Sequence, residues 1–413
     1  MKPQGLRDLL SVSLFGVLPL LSGCESPDSQ SHPKVIAEDP TDIPIAGVSA
    51  ELKKLFFEGD VAFDAVFLEG DGLGPNYIRT SCGSCHAAAG KGPGSVQKMV
   101  MVKSDGFTPD SDQSALPWGS TARPYYAGGA QKGLTPPPSS PNLKLSTRIG
   151  LATFGRGYLE AIEDREIERI EAEQAKRTDG IHGQINRVSY QSQANPDRRY
   201  HQHQPGQTGL IGRFGHKARI ATLDEFSADA AQGDMSMTSP LRPTELANPD
   251  GLTDDKKPGV DLTIDTINLL AEYMRLLAIP KREAPQEQAV ALFEAAQCSA
   301  CHVPSLKTRA DYPIAQLAAV NAPVFTDLLL HDMGTELADG LTDGKASSRQ
   351  WRTAPLIGLR FFQNYLHDGR AKTIEEAILK HNGTGSEARG SVEKYQALTP
   401  DDKQLLLKYV GSL

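Results

Sequence analysis

The chain has 413 residues and a formal net charge of −8 at pH 7. That length allows two or three domains with proper cores, and the acidic balance gives no electrostatic footprint for nucleic acid, which is excluded as a partner. Only five cysteines are present, so a disulfide-built scaffold is excluded as well.

Residues 1–23 read as an export signal. Lys2 and Arg7 supply a basic start, and Leu9 to Leu21 form an apolar core too short to span a bilayer stably. The segment ends in Leu21-Ser22-Gly23-Cys24, which resembles a bacterial lipobox, so Cys24 is expected to be lipidated and to become the new N-terminus. An ordinary signal peptide with an incidental Cys is the alternative. Two or more acyl chains would tether the body to a membrane, on the periplasmic side and at the outer membrane. Residues 24–50, rich in Ser, Pro and Asp near their start, read as the lipidated tether.

The other four cysteines fall in two pentads, Cys82-Gly83-Ser84-Cys85-His86 and Cys298-Ser299-Ala300-Cys301-His302. In a c-type haem site two thiols add across the vinyl groups and the next residue reaches the iron, so Cys, Cys and His must follow in this order. A redox dithiol or a zinc half-site would not require the adjacent His. The pattern therefore predicts two covalently bound haems c, with Cys82, Cys85, Cys298 and Cys301 as attachment points and His86 and His302 as proximal ligands.

The expected fold is mainly α, two cytochrome c-type haem domains with long irregular loops, at 51–280 and 281–413. Residues 263–278 carry Ile264, Ile267, Leu270, Met274 and Leu277 at helical spacing, with Pro280 as the stop. Pro285 suits the first turn of a helix leading into Cys298. Further helices are expected at 157–176, at 373–380, where Thr373 and Glu376 make a capping box, and at 399–411, where Pro400 follows the cap. Residues 93–141 and 187–212, rich in Pro and Gly, read as loops. His201 and His203 read as solvated rather than metal-binding. A weak internal repeat aligns His216-Lys217-Ala218-Arg219 with His367-Asp368-Gly369-Arg370, and with it Thr222 with Thr373.

Several runs carry a family resemblance: Gly70 to Pro75, Gly157 to Ile162, Gly212 to Gly215, Gly233-Asp234-Met235, Thr326 to Gly334, Trp351 to Leu356, and Leu366 to Arg370. Together they resemble the di-haem oxidoreductases, relatives of the bacterial di-haem cytochrome c peroxidases and of the tryptophan-modifying enzyme MauG. The resemblance implies a peroxidase-like oxidoreductase in which the first haem reacts and the second relays electrons from a small redox protein. A non-catalytic electron carrier with both haems six-coordinate is the alternative, and oxidation of a protein side chain is a third reading.

In those relatives the second haem takes its distal ligand fourteen residues after the His of an HDG-type element, which points to His381; a His capping helix carbonyls is the other reading. The same count from His216 lands on Ala230, which cannot bind iron. Asp234 is similar to the catalytic Glu of the peroxidases, Phe226 stands where they have Gln, and His216 where they have the Trp between haems. His216, Met235 and Met237 are candidate sixth ligands for the first iron, and core packing is the plain reading of both methionines. His331 is family-like in position or simply a buried His. A calcium ion is implied near the backbone of Thr353-Ala354-Pro355.

Overall fold

The computed structural model describes residues 41–87, 95–105, 108–137, 142–252 and 259–413. The signal segment, Cys24 and the tether up to residue 40 lie outside the described residues. The helices expected at 263–278, 373–380 and 399–411 form close to their sequence signals, and a helix not expected from the sequence opens the described chain. Helix α1 is Ala50–Asp64, capped by the Ser49 hydroxyl, which accepts from the Leu52 amide. The region expected as one helix over 157–176 is two, α2 at Arg156–Ala161 and α3 at Asp164–Gln174. The break has a cause: the buried Arg213 guanidinium donates to the Leu159 and Ile162 carbonyls at 3.2 and 2.7 Å and to Asp164 at 2.6 Å, satisfying carbonyls a continuous helix would have used.

Helix α4 is Leu223–Met235, and α5 is Ile264–Leu276 with Thr263 as its cap. Helix α6 is Glu287–Ala295, capped at Gln286, so Pro285 stands just outside the first turn rather than in it. Helix α7 is Ile374–Lys380; Thr373 caps it, while Glu376 reaches back to the Lys372 amide instead of the cap's own. Helices α8, Arg389–Gln396, and α9, Pro400–Ser412, close the chain.

Mainly α is only partly right, because the described residues also contain five two-stranded antiparallel sheets. The longest pairs β2, Ser95–Met101, with β4, Leu143–Ile149, across the stretch expected to be loop. Its hydrophobic alternation is inverted, which hid it. Ser146 and Arg148 point inward, where Asp339 accepts from both at 2.9 and 2.7 Å, while Leu145 faces out. The short pairs are β1, Asn76–Tyr77, with β3, Tyr125–Tyr126; β5, Arg187–Val188, with β6, Leu210–Ile211; β7, Leu306–Lys307, with β8, Asn321–Ala322; and β9, Leu330–Asp332, with β10, Gln350–Arg352.

The internal repeat is geometrical as well as sequential. Phe214 bridges Ile220 just as Tyr365 bridges Ala371. Gly215 and Ala218 take positive φ of 84° and 50°, and their counterparts Leu366 and Gly369 take 68° and 77°. Thr222 and Thr373 then start α4 and α7 at the same offset. Before each pentad stands a helix that packs on a Thr-capped partner, α1 on α5 and α6 on α9.

One apolar cluster joins Phe56 and Phe63 of α1 and Leu270 of α5 to Leu306, Tyr312 and Leu328, so residues on both sides of position 280 share a core. A second cluster joins Phe293, Tyr395, Leu406 and Tyr409 around α6 and α9, and a third lies under α4. No helix among the described residues is long and apolar enough to cross a membrane.

Two candidate cofactor cavities

Each pentad lines its own cavity, about 910 Å³ beside Cys82, Cys85 and His86, and about 260 Å³ beside Cys298, Cys301 and His302. Burial pushes the Cys82, Cys85 and Cys298 thiols up to about 12, 11 and 12, and raises Cys301 too.

In the second cavity two imidazoles face a common space. His302 Nδ1 is bonded to the Phe325 carbonyl at 3.1 Å and His381 Nδ1 to the Ala377 carbonyl at 2.6 Å. A carbonyl only accepts, so each Nδ1 carries the proton and each Nε2 keeps its lone pair. Burial pushes His302 down to about 4, with His381 the next cause, and burial lowers His381 too. Both are therefore neutral imidazoles, the form a metal ligand needs. The two readings of His381 are compatible: it is the C-cap of α7 and it lines the cavity.

The first cavity is lined differently. Ala230, the repeat position of His381, presents a methyl group there. Asp234 lines it too, its carboxyl raised by burial and held back by Lys98, with Asp229 raising and Arg219 lowering it further. Asp229 is ion-paired with Arg219 and with Arg242, the latter at 3.2 Å. Met235 lines the cavity while packing on the cluster under α4, and Met237 is wholly buried in that cluster. Phe226, at the expected Gln position, also lines it, its ring 6.1 Å from Phe214. Gly150 closes against the pentad, where an added Cβ would sit 3.2 Å from the His86 ring; the side-chain-free residue leaves that ring room.

His216 lines both cavities, and its Nε2 donates to the Ile149 carbonyl at 2.9 Å. Sequence reasoning had noted Trp351 only as part of a motif, yet it fills the space beside His216. Its ring is edge-on to His216 at 6.2 Å and stacked on His367 at 3.8 Å. Lys217 Nζ stands 3.9 Å above it and donates to the Ser347 and Gln350 carbonyls at 2.7 and 2.8 Å.

His331 is buried between two carboxylates, with Nε2 2.9 Å from Asp327 and Nδ1 2.7 Å from Glu387. Asp327, His331 and Cys301 come close enough to resemble a metal cluster, and Cys301 is at the same time a thiol of its pentad. The Thr353 carbonyl, expected near calcium, accepts from Thr326 at 2.7 Å and from the Arg352 guanidinium at 3.0 Å. His201 is not solvated; its Nε2 lies 2.9 Å from Asp224 inside the protein.

No curated protein matches the chain. Among solved structures it is similar to a hydrazine synthase of Kuenenia stuttgartiensis, at 14% identity and a TM-score of 0.40 over 99% of this chain and 100% of that one. It is also similar to the diheme peroxidase BthA of Burkholderia thailandensis, at 14% identity and a TM-score of 0.40 over 91% and 88%. Likenesses this distant carry no argument. The family described as "Di-haem oxidoreductase, putative peroxidase" matches residues 139–413, which is well over half of the chain and includes the second pentad, His216, Asp234, Trp351 and His381. A di-haem family implies two haem cofactors, and by this match the chain belongs to the di-haem oxidoreductases.

Proposed function

We propose that the chain is a peroxidase-type oxidoreductase whose first centre reacts and whose second centre relays electrons. Cys82 and Cys85, and Cys298 and Cys301, would hold two haems c through thioethers, with His86 and His302 as proximal ligands. A bound haem supplies one-electron chemistry, and a coordination position left open by the protein is where peroxide would bind. The observation that carries the reading is the repeat: it brings His381 to the second cavity and only a methyl, Ala230, to the equivalent place in the first.

The residues around the first cavity then have distinct tasks. Asp234 holds and moves a proton, because burial keeps its carboxyl more basic than usual while Lys98 and Arg219 restrain the shift. Phe226 offers no hydrogen bond and serves to exclude water. His216 and Trp351, between the cavities, are positioned to couple them. A small redox protein exchanging electrons with the chain, attachment at the periplasmic face of the outer membrane through lipidated Cys24, and a calcium ion complete the proposal, the last with the least support since Arg352 already holds the Thr353 carbonyl.

A second reading, a non-catalytic carrier with both irons six-coordinate, rests on Met235, which also lines the first cavity. An EPR and optical spectrum of the ferric holoprotein, before and after hydrogen peroxide, separates the two. One high-spin signal that peroxide abolishes supports the enzyme; two low-spin signals indifferent to peroxide leave the carrier.

A further inference from the structure

Among the described residues the buried arginines fall into two groups. Arg148 stands 2.7 Å from Asp339, Arg213 2.6 Å from Asp164 and Arg275 2.6 Å from Glu160. Pairing is the expected arrangement, since a guanidinium withdrawn from water without an anion is strongly destabilising. Arg123, Arg156 and Arg352 are buried as well, and no carboxylate among the described residues lies within 4.0 Å of them. Arg123 lines neither cavity and donates its Nη groups to the Ser236 hydroxyl at 2.6 Å and the Ala247 carbonyl at 2.9 Å.

Arg156 and Arg352 do line cavities. Arg352 faces the second, its Nε and Nη1 donating to the Gly215 and Thr353 carbonyls, each at 3.0 Å. Arg156 lines both cavities, and its hydrogen bond among the described residues runs from Nε to the Ala152 carbonyl at 2.6 Å. Leu151, Ala152 and His216 share that wall with it, so Arg156 brings the permanent charge to the surface common to the two cavities. Burial pushes Arg156 down to about 9, with Arg352 the next cause, and pushes Arg352 down to about 10. Neither reaches neutral pH, so two cations that repel each other stand at 9% and 4% exposure with no carboxylate in contact. At that depth the balancing anion has to arrive with whatever fills the cavities. A haem held through its vinyl groups by thioethers keeps its propionate carboxylates, and a guanidinium fork matches a carboxylate in shape and charge.

We propose that Arg156 is a shared propionate-binding residue, one guanidinium that neutralises carboxylates of both haems, while Arg352 serves the second haem alone. The inference rests on the reading of the cavities as haem sites and needs no peroxidase activity. Its consequence is electrostatic. A cation near a haem disfavours the extra positive charge of ferric iron, so Arg156 raises the potentials of both centres together and Arg352 that of one.

The test is a spectroelectrochemical titration, at about pH 8, of full-length holoproteins whose haem count is first read by intact mass. Each wave is assigned with proteins that keep one pentad. Arg156→Gln should lower the ferrous-to-ferric ratio of both haems at a fixed potential about tenfold, or about 59 mV for a one-electron couple, and Arg156→Lys, which keeps a cation, should restore most of it. Arg352→Gln should shift the second haem only. A shift at one haem alone, or at neither, in Arg156→Gln would overturn the shared role. If that variant does not fold, the wild type decides: isotopic labelling of the arginine guanidino groups should move bands in the redox-difference infrared spectrum of either haem, and unmoved bands for the first haem would overturn the inference. Wild-type potentials that follow added acetate would assign Arg156 to a free anion and overturn it too. Fewer than two haems in the wild type would remove the haem reading itself, whereas two haems with unmoved potentials strike this inference alone.

Discussion

The two cavities are built by the same element and differ in what that element delivers. In both, a turn with two positive-φ residues leads to a helix that starts after a Thr and lines the pentad's cavity, although only Thr373 caps its helix through its hydroxyl. In one the helix ends on an imidazole in a tight apolar space, and in the other it passes a methyl beside buried charges in a larger one. On the proposed reading, one scaffold makes an electron-transfer centre or a reactive centre according to a single side chain, a division of labour that duplication readily allows. The broadest way to break the comparison is to remove one attachment site at a time. Cys82→Ala/Cys85→Ala and Cys298→Ala/Cys301→Ala should each lower covalent haem from two to one by intact mass; the first should abolish the reaction with peroxide, and the second should leave that reaction but stop its resupply with electrons. Retention of both haems in either variant would end the assignment.

The comparison sharpens if the deciding side chains are exchanged. Ala230→His should give the first centre an imidazole at the place His381 occupies in the second, converting the high-spin signal to low-spin and suppressing turnover. His381→Ala should do the reverse to the second centre, adding a high-spin signal there. An unchanged spectrum in Ala230→His would show that the repeat does not align the two positions around iron.

Much of this was legible in the residues because it is local. A pentad must be contiguous to work, and a capping Thr with its helix declares itself within a few positions, as Thr373 and Thr399 did. The repeat predicted the shared turn, including Ala218 in the place of Gly369. What escaped depends on distant partners. The β2–β4 pair was hidden because β2 lies in a Pro- and Gly-rich stretch that read as loop, and because in β4 Arg148 and Ser146 face inward to reach Asp339, almost two hundred positions away. Trp351 escaped because nothing in its neighbourhood says that Lys217, from the other half, will lie over it. The split between α2 and α3 needed Arg213, some fifty positions later.

A smaller effect is expected at Asp234, which belongs to the first cavity alone. Asp234→Asn keeps the shape and removes the titrating proton, so kcat with peroxide should fall about 10²–10⁴-fold while the ferric spectrum is unchanged. No loss of turnover would assign proton transfer to another group, and a changed resting spectrum would mean that Asp234 instead controls the coordination of the iron.

The finest test lies between the cavities. Lys217 is fully buried, its ammonium is held by carbonyls and by Asp339 at 3.7 Å, and burial nevertheless pushes its pKa down to about 8. In the unfolded chain a Lys titrates near 10.4, so between roughly pH 8 and pH 10 the unfolded state binds the extra proton. The contribution of Lys217 to stability therefore grows as pH rises through that window, by about 2 kcal/mol, since the ammonium is what burial penalises and the neutral amine still donates to the carbonyls. Lys217→Met loses those donors, costing about 1–3 kcal/mol. The gap in urea midpoint between wild type and Lys217→Met should thus widen from pH 7.5 to pH 10.5, and a gap that stays flat would mean that Lys217 keeps its charge throughout. The same variant removes the cation 3.9 Å above Trp351. A cation there disfavours loss of an electron from the ring, so Lys217→Met should make Trp351 easier to oxidise and strengthen coupling between the centres, visible as a peroxide-induced tryptophan radical signal that the wild type lacks.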